Sequence, residues 1–201
     1  MGAGIIVLLV VIALVVILVL VGVGLYNGLV RLRNVVQESW RQIDVELTRR
    51  HDLIPNLVET VKGYAAHERE TLEAVISART AAVAPGSSPA QQAQQENVLT
   101  AALGRLFAVA EAYPDLKANQ NFLELQRELT DTEDRLAASR RFYNANVRSL
   151  NTKVETVPSN IVAGLFNIER AEYFEAEDPA VRSVPTVSFG ATPPASPPPS
   201  A

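Results

Sequence analysis

Residues 5–25 read IIVLLVVIALVVILVLVGVGL, from Ile5 to Leu25, and no side chain between Gly2 and Val30 carries a charge. Coiled into a helix, 21 such residues reach about 31 Å, the thickness of a bilayer's hydrocarbon core. A cleaved leader would need a basic start, a shorter apolar run and a small-residue cleavage site. Here nothing basic precedes the run, which is too long and has no good A-x-A site after it. The stretch is therefore expected to span a membrane once and to stay attached. Arg31, Arg33 and Arg41 follow the span and no Lys or Arg precedes it. The positive-inside rule then puts the N-terminus outside and the body in the cytoplasm, with Tyr26 as an interfacial anchor. Gly24 and Gly28 make a G-x-x-x-G at the edge of the span, a pattern that lets helices approach but also arises by chance in membrane segments.

Beyond the span the apolar spacing turns helical. Leu29, Leu32, Val36, Trp40, Ile43 and Leu47 advance by three or four residues, with Arg31, Arg33, Glu38, Arg41 and Glu46 between them. That is an amphipathic helix with one buried stripe. The stripe keeps its phase through Ile54, Leu57, Val61, Tyr64, Leu72, Val75 and Ile76. Pro55 falls inside it, and proline has no N–H and crowds the carbonyl four residues earlier. Either a continuous helix kinks there, or one helix ends near His51 and another begins with Asp52 as its cap. The preserved phase favours continuity. Ala84–Pro89 (APGSSP) then forms a turn.

A second helix is expected from about Ala90, with Leu99, Leu103, Leu106, Ala110 and Tyr113 as its stripe and Pro114 as its stop. In a third, Phe122, Leu129, Leu136, Tyr143, Leu150 and Val157 recur every seven residues, as in coiled-coil packing. Pro158 breaks that helix, and Ser159 is placed to cap a short last one through Phe166. No segment alternates long enough for a strand. The fold class is all-α: a transmembrane helix, then an antiparallel bundle of long helices. Seven of the twelve prolines lie at or beyond Pro179, a composition that cannot offset its own ordering entropy. The expected divisions are a short end over 1–4, the span over 5–25, the bundle over 26–178, an extended strap over 179–189 containing Val184, Val187 and Phe189, and a disordered Pro-rich tail over 190–201.

Composition narrows the chemistry. A formal charge of −4 argues against a nucleic-acid binder, and the absence of cysteine removes disulfides, thiolate metal sites and thiol nucleophiles. His67-Glu68 lacks the second histidine of H-E-x-x-H. Thr48 and Tyr64 stand where the E-x-x-H of di-iron bundles would put glutamate before His51 and His67. There is no phosphate-binding Gly-rich loop and no G-x-S-x-G. Glu124, Glu128, Asp131, Glu133 and Asp134 have no ligand spacing and are expected to stay solvated, pairing with Arg127 or Arg135. Asn144 and Asn151, seven apart beside the heptad, suit a buried hydrogen-bonding ladder that fixes register better than a patch gripping a partner.

Several longer stretches together identify a resemblance: Tyr26-Asn27-Gly28-Leu29-Val30, Trp40-Arg41-Gln42-Ile43-Asp44-Val45, Arg49-Arg50-His51-Asp52-Leu53-Ile54-Pro55-Asn56-Leu57-Val58, Val61-Lys62-Gly63-Tyr64-Ala65, Tyr113-Pro114-Asp115-Leu116-Lys117, Arg140-Arg141-Phe142-Tyr143-Asn144, Pro158-Ser159-Asn160 and Val187-Ser188-Phe189. The sequence resembles the LemA family of bacterial membrane proteins over about residues 20–189. It departs at Leu150-Asn151, where the family tends to have Tyr-Asn, and at Val157, where Phe is usual before the proline. The resemblance implies a helical bundle on an N-terminal anchor, the bulk inside, with similarity to magnetosome-associated proteins implicated in membrane organisation. It supplies no catalytic residue.

The expected function is a scaffold or adaptor without enzymatic activity in the bacterial inner membrane, engaging the bilayer through residues 5–25 and unknown protein partners on the cytoplasmic side. No catalytic, cofactor or metal residue is assigned, and no nucleic-acid partner. Two alternatives stand beside it: an oligomer that shapes membranes directly, and a cryptic hydrolase or metal-dependent activity built on His51, Asp52, Glu59 or His67.

Overall fold

Helix α1 runs without interruption from Gly2 to Lys62. Its 61 residues extend about 90 Å. In the computed structural model, which describes residues 2–175, five more helices follow: α2 (Arg69–Ala82), α3 (Pro89–Ala110), α4 (Pro114–Lys117), α5 (Gln120–Glu155) and α6 (Ser159–Leu165). No strand occurs among the described residues. The first part of α1 touches nothing else in the protein, and its Ile, Val and Leu side chains from Ile5 to Val23 stand exposed. From Leu29 onward the same helix becomes a wall of the bundle.

α1 and α5 form an antiparallel pair. Trp40 meets Tyr143, Arg50 meets Glu133 and Tyr64 meets Asn119, so partner numbers fall as α1 numbers rise. The heptad explains the pairing: Phe122, Leu129, Leu136, Tyr143 and Leu150 are all buried against α1. Val157 does not continue it, because α5 ends at Glu155 and this side chain is exposed. The hairpin of α2 and α3 packs on the half of the pair farther from the apolar end. Two apolar clusters result. One gathers Ile54, Leu57 and Val61 with Val75, Leu99, Leu106 and Phe122; the other gathers Leu29, Val36 and Ile43 with Tyr143, Val147, Leu150 and Phe174. Each fully buried Leu or Ile contributes about 1.5–3 kcal/mol relative to exposure.

The helix continues through Pro55, so Asp52 is no cap. Proline withholds the N–H that would have bonded the His51 carbonyl. Arg79 of α2 replaces it, its Nε donating to that oxygen at 2.7 Å. Pro55 itself lies exposed. The break comes later, at Gly63–Glu68, with the result that Tyr64 and Ile76 are exposed and leave the expected stripe.

Local signals set most other ends. Ser88 caps α3 in a reciprocal capping box with Gln91, and Pro89 occupies the first turn. Gly86 supplies the positive φ of the preceding loop. α3 stops at Ala110; Pro114 does not terminate it but starts α4. Asn119 caps α5 through the Phe122 N–H and donates to Tyr64 Oη at 3.0 Å. Ser159 lies inside α6 rather than capping it, its hydroxyl donating back to the Thr156 carbonyl at 2.9 Å. α6 closes with Asn167 at φ 51°, Asn167 bonding Gly164 and Ile168 bonding Ala163, a Schellman turn. The chain then reverses, and residues 168–175 run extended along α5. The expected strap over 179–189 and the tail over 190–201 lie outside the described residues.

Candidate functional site

Between the two apolar clusters sits a buried polar node. Arg50 and His51 occupy core phase on α1, one turn after Leu47 and one before Ile54, and are 3% and 7% exposed. Glu96 of α3 faces them and is 4% exposed. Arg50 Nη1 donates to Glu96 Oε2 at 2.8 Å, while Glu96 Oε1 lies 2.8 Å from His51 Nε2 and 2.9 Å from Gln92 Nε2. Arg50 Nη2 donates to Thr100 Oγ1 at 2.7 Å and lies 3.2 Å from Glu133 of α5. Gln92 Nε2 also reaches the Ala82 carbonyl at the end of α2. Groups from four helices thus meet around Arg50, Glu96 and Gln92.

Every group in the node has a partner, which is what burial of charge requires. Glu96 accepts from Arg50 and Gln92 and faces His51 Nε2, so both of its oxygens are engaged. The geometry suits holding α1, α2, α3 and α5 in one register. The residues weighed for a cryptic activity are not assembled: His51 belongs to the node, Asp52 points out, Glu59 pairs with Lys62 on the surface, and His67 lies exposed in the turn between α1 and α2. Among the described residues no group of three or more His, Asp or Glu side chains is arranged to hold a metal ion. Glu133 pairs across the bundle with Arg50 rather than with Arg135.

α3 and α5 do not close fully over the node. A cleft of about 300 Å³ remains, walled by Leu103, Phe107 and Leu129 and floored by Arg50, Thr100 and Glu133. A second polar bond ties the turns at the far end, where Tyr113 Oη donates to Glu68 Oε1 at 3.0 Å; that bond raises the phenol's pKa above its ordinary value.

Asn144 and Asn151 do form a ladder, but its partner is the extended segment and not a helix. Asn151 Nδ2 donates to the Ala171 carbonyl and its Oδ1 accepts from the Ala171 N–H, both at 2.9 Å. Asn144 treats Phe174 the same way, at 3.3 and 2.9 Å. Seven residues of helix rise about 10.5 Å, and three residues of extended chain cover about 10 Å. The heptad spacing therefore matches peptides 171 and 174, each side-chain amide standing in for a neighbouring strand. Between them Tyr143 Oη donates to the Glu172 carbonyl at 2.8 Å, and burial, then the Glu172 charge, pushes its pKa up to about 12. Phe174 packs on Trp40, which also stacks on Tyr143. Spacing points to the two asparagines, whereas only polar character at core phase marks Arg50, Gln92 and Glu96 in the sequence.

The family model described as the LemA family matches residues 39–189. Protein LemA of Metamycoplasma hominis is 30% identical over 159 residues, covering 78% of this chain and 71% of that protein. Magnetosome protein MamQ 2 of Paramagnetospirillum magneticum is 29% identical over 180 residues, covering 77% of this chain. MamQ of Magnetospirillum gryphiswaldense is 27% identical over the same length. The chain spans 66% of the length of each of these two magnetosome proteins.

Proposed function

The chain belongs to the LemA family, its match running over residues 39–189, and from that premise we propose that it is a rigid, non-enzymatic scaffold that holds protein partners at the inner face of a bacterial membrane. The observation that carries this reading is the single helix α1, lipid-suited in its first half and bundle core in its second. No linker separates anchor from body. A domain held this way keeps a fixed height over the bilayer and a fixed orientation relative to its own anchor helix, which serves presentation of partners and does nothing for turnover. Arg31 and Arg33, exposed just past the span, support a cytoplasmic body.

Photo-crosslinking in cells tests the reading, with a crosslinking residue placed at Asn97 or Thr130 beside the α3–α5 cleft and at Gln37 near the anchor. Recurring protein adducts at the cleft positions are expected. Bare monomer and lipid adducts at every position would overturn it. Protease protection in inverted vesicles, where the body should be digested and the N-terminus spared, checks the orientation separately.

The magnetosome relatives favour a second reading, an oligomer that organises membrane. Apart from the helix's own backbone, none of the described residues comes within 4 Å of where a Cβ would stand on Gly24 or Gly28, which leaves that face of α1 room for a second copy. Crosslinking at these glycines in membranes would yield dimers under this reading and monomers otherwise.

A further inference from the structure

α6 sits at the end of the bundle from which the apolar half of α1 departs. Val162 and Ala163 turn inward, packing in the cluster that holds Leu29 and is flanked by Leu25 and Tyr26. The opposite side is bare: Val157, Ile161, Leu165 and Phe166 are 76%, 61%, 77% and 57% exposed. Other exposed large apolar residues of the body, such as Val45, Ile76, Val98 and Phe142, are dispersed along different helices, as is ordinary for a soluble surface. These four fall within one ten-residue stretch, 157–166. No charged side chain occurs from Thr156 to Ile168; Glu155 precedes the stretch and Glu169 and Arg170 follow it, Arg170 pairing with Glu155 at 2.9 Å. The Schellman turn at Asn167 throws Leu165 and Phe166 to the outer apex before Ile168 returns to the core.

Continuity with the span identifies what covers this face. The Phe166 ring lies 4.4 Å from that of Tyr26, which follows Leu25 at the end of the apolar run. An apolar, uncharged surface beside the exit point of a membrane helix meets the headgroup and upper acyl region, where Phe, Leu and Ile insert favourably. We infer that the outward face of α6 is a second membrane contact, dipping Ile161, Leu165 and Phe166 into the leaflet that α1 leaves. The inference rests on α1 spanning the bilayer. It gives the scaffold two attachments, a span and an adjacent interfacial foot, and so fixes the tilt and rotation of the bundle, which a single span leaves free.

The chain has no cysteine, so single cysteines report cleanly. The full-length protein is reconstituted in vesicles of phosphatidylethanolamine and phosphatidylglycerol, with nitroxide labels on Ile161→Cys, Leu165→Cys, Val15→Cys in the span and Asp131→Cys on the exposed face of α5. Accessibility to oxygen, which enriches in lipid, is compared with that to a water-soluble nickel chelate. The oxygen-to-nickel ratio at positions 161 and 165 should be several-fold above that at 131 and below that at 15. Labels at 161 and 165 as open to nickel as the one at 131, with 15 still in lipid, overturn the foot and leave the span intact. Labels closed to both reagents overturn it too, since a protein would then cover the face. A water-exposed label at 15 would instead sink the span itself.

Discussion

Replacing Arg79 with Met should destabilise the bundle in one background and hardly at all in another. Arg79 Nε donates at 2.7 Å to the His51 carbonyl that Pro55 leaves without its helical partner. Arg79→Met keeps most of the aliphatic stem and removes the donor, stranding a partly buried acceptor at a cost of about 1–3 kcal/mol. For a domain of this size each kcal/mol lowers Tm by about 2–4 °C. Pro55→Ala restores an N–H four residues after His51, so the carbonyl regains a partner inside its own helix. In that background the same Arg79→Met change should cost under about 1 kcal/mol, a coupling well above the few tenths expected of independent sites. The double-mutant cycle is read by circular dichroism at 222 nm on the detergent-solubilised full chain during heating. Equal losses in both backgrounds would refute the claim that Arg79 stands in for the missing amide.

Three further outcomes follow from the same structure. Glu96→Ala leaves Arg50 buried without its closest carboxylate and should cost about 3–5 kcal/mol, whereas Glu38→Ala, which removes the exposed pair with Arg41, should cost under about 1 kcal/mol in the same melting assay. Asn151→Ala unseats peptide 171 and should weaken the extended segment locally by about 1–3 kcal/mol, seen as roughly tenfold or faster trypsin cleavage at Arg170 with little change in global Tm. Tyr143 should ionise near pH 12 in the folded protein, against about 10 when unfolded. Because its folded pKa is raised, its contribution is complete below pH 10 and drains away between pH 10 and 12, so ultraviolet titration and alkaline unfolding should move together, and Tyr143→Phe should flatten that part of the stability profile.

Several features were legible in the residues because they depend on spacing along one chain. The run Ile5–Leu25 carries its meaning in length and lack of charge, since lipid rewards nothing else. The heptad from Phe122 to Leu150 announces a long helix packed on another, and the stripe from Leu29 to Leu47 announces its mate. Capping residues at Ser88 and Asn119 act over three residues and were within reach of the same reading. Ile76 and Tyr64 misled because the phase held by accident across a real turn at Gly63–Glu68. Val157 misled because the seventh position fell beyond the end of α5.

The sequence alone determined that this protein has one lipid-suited helix and a bundle of long amphipathic ones, because burial of apolar stripes is a short-range code written at every third or fourth residue. Tertiary structure decided how polar groups were matched: Glu96 with Arg50 and His51, Arg79 with a carbonyl orphaned by Pro55, and two asparagines with peptides 171 and 174. These hydrogen bonds join residues 20 to 46 apart in the chain, and their partners become definite only when the elements are fixed in register. The apolar face of α6 belongs to that second group, since only the folded chain sets it beside the end of the apolar run.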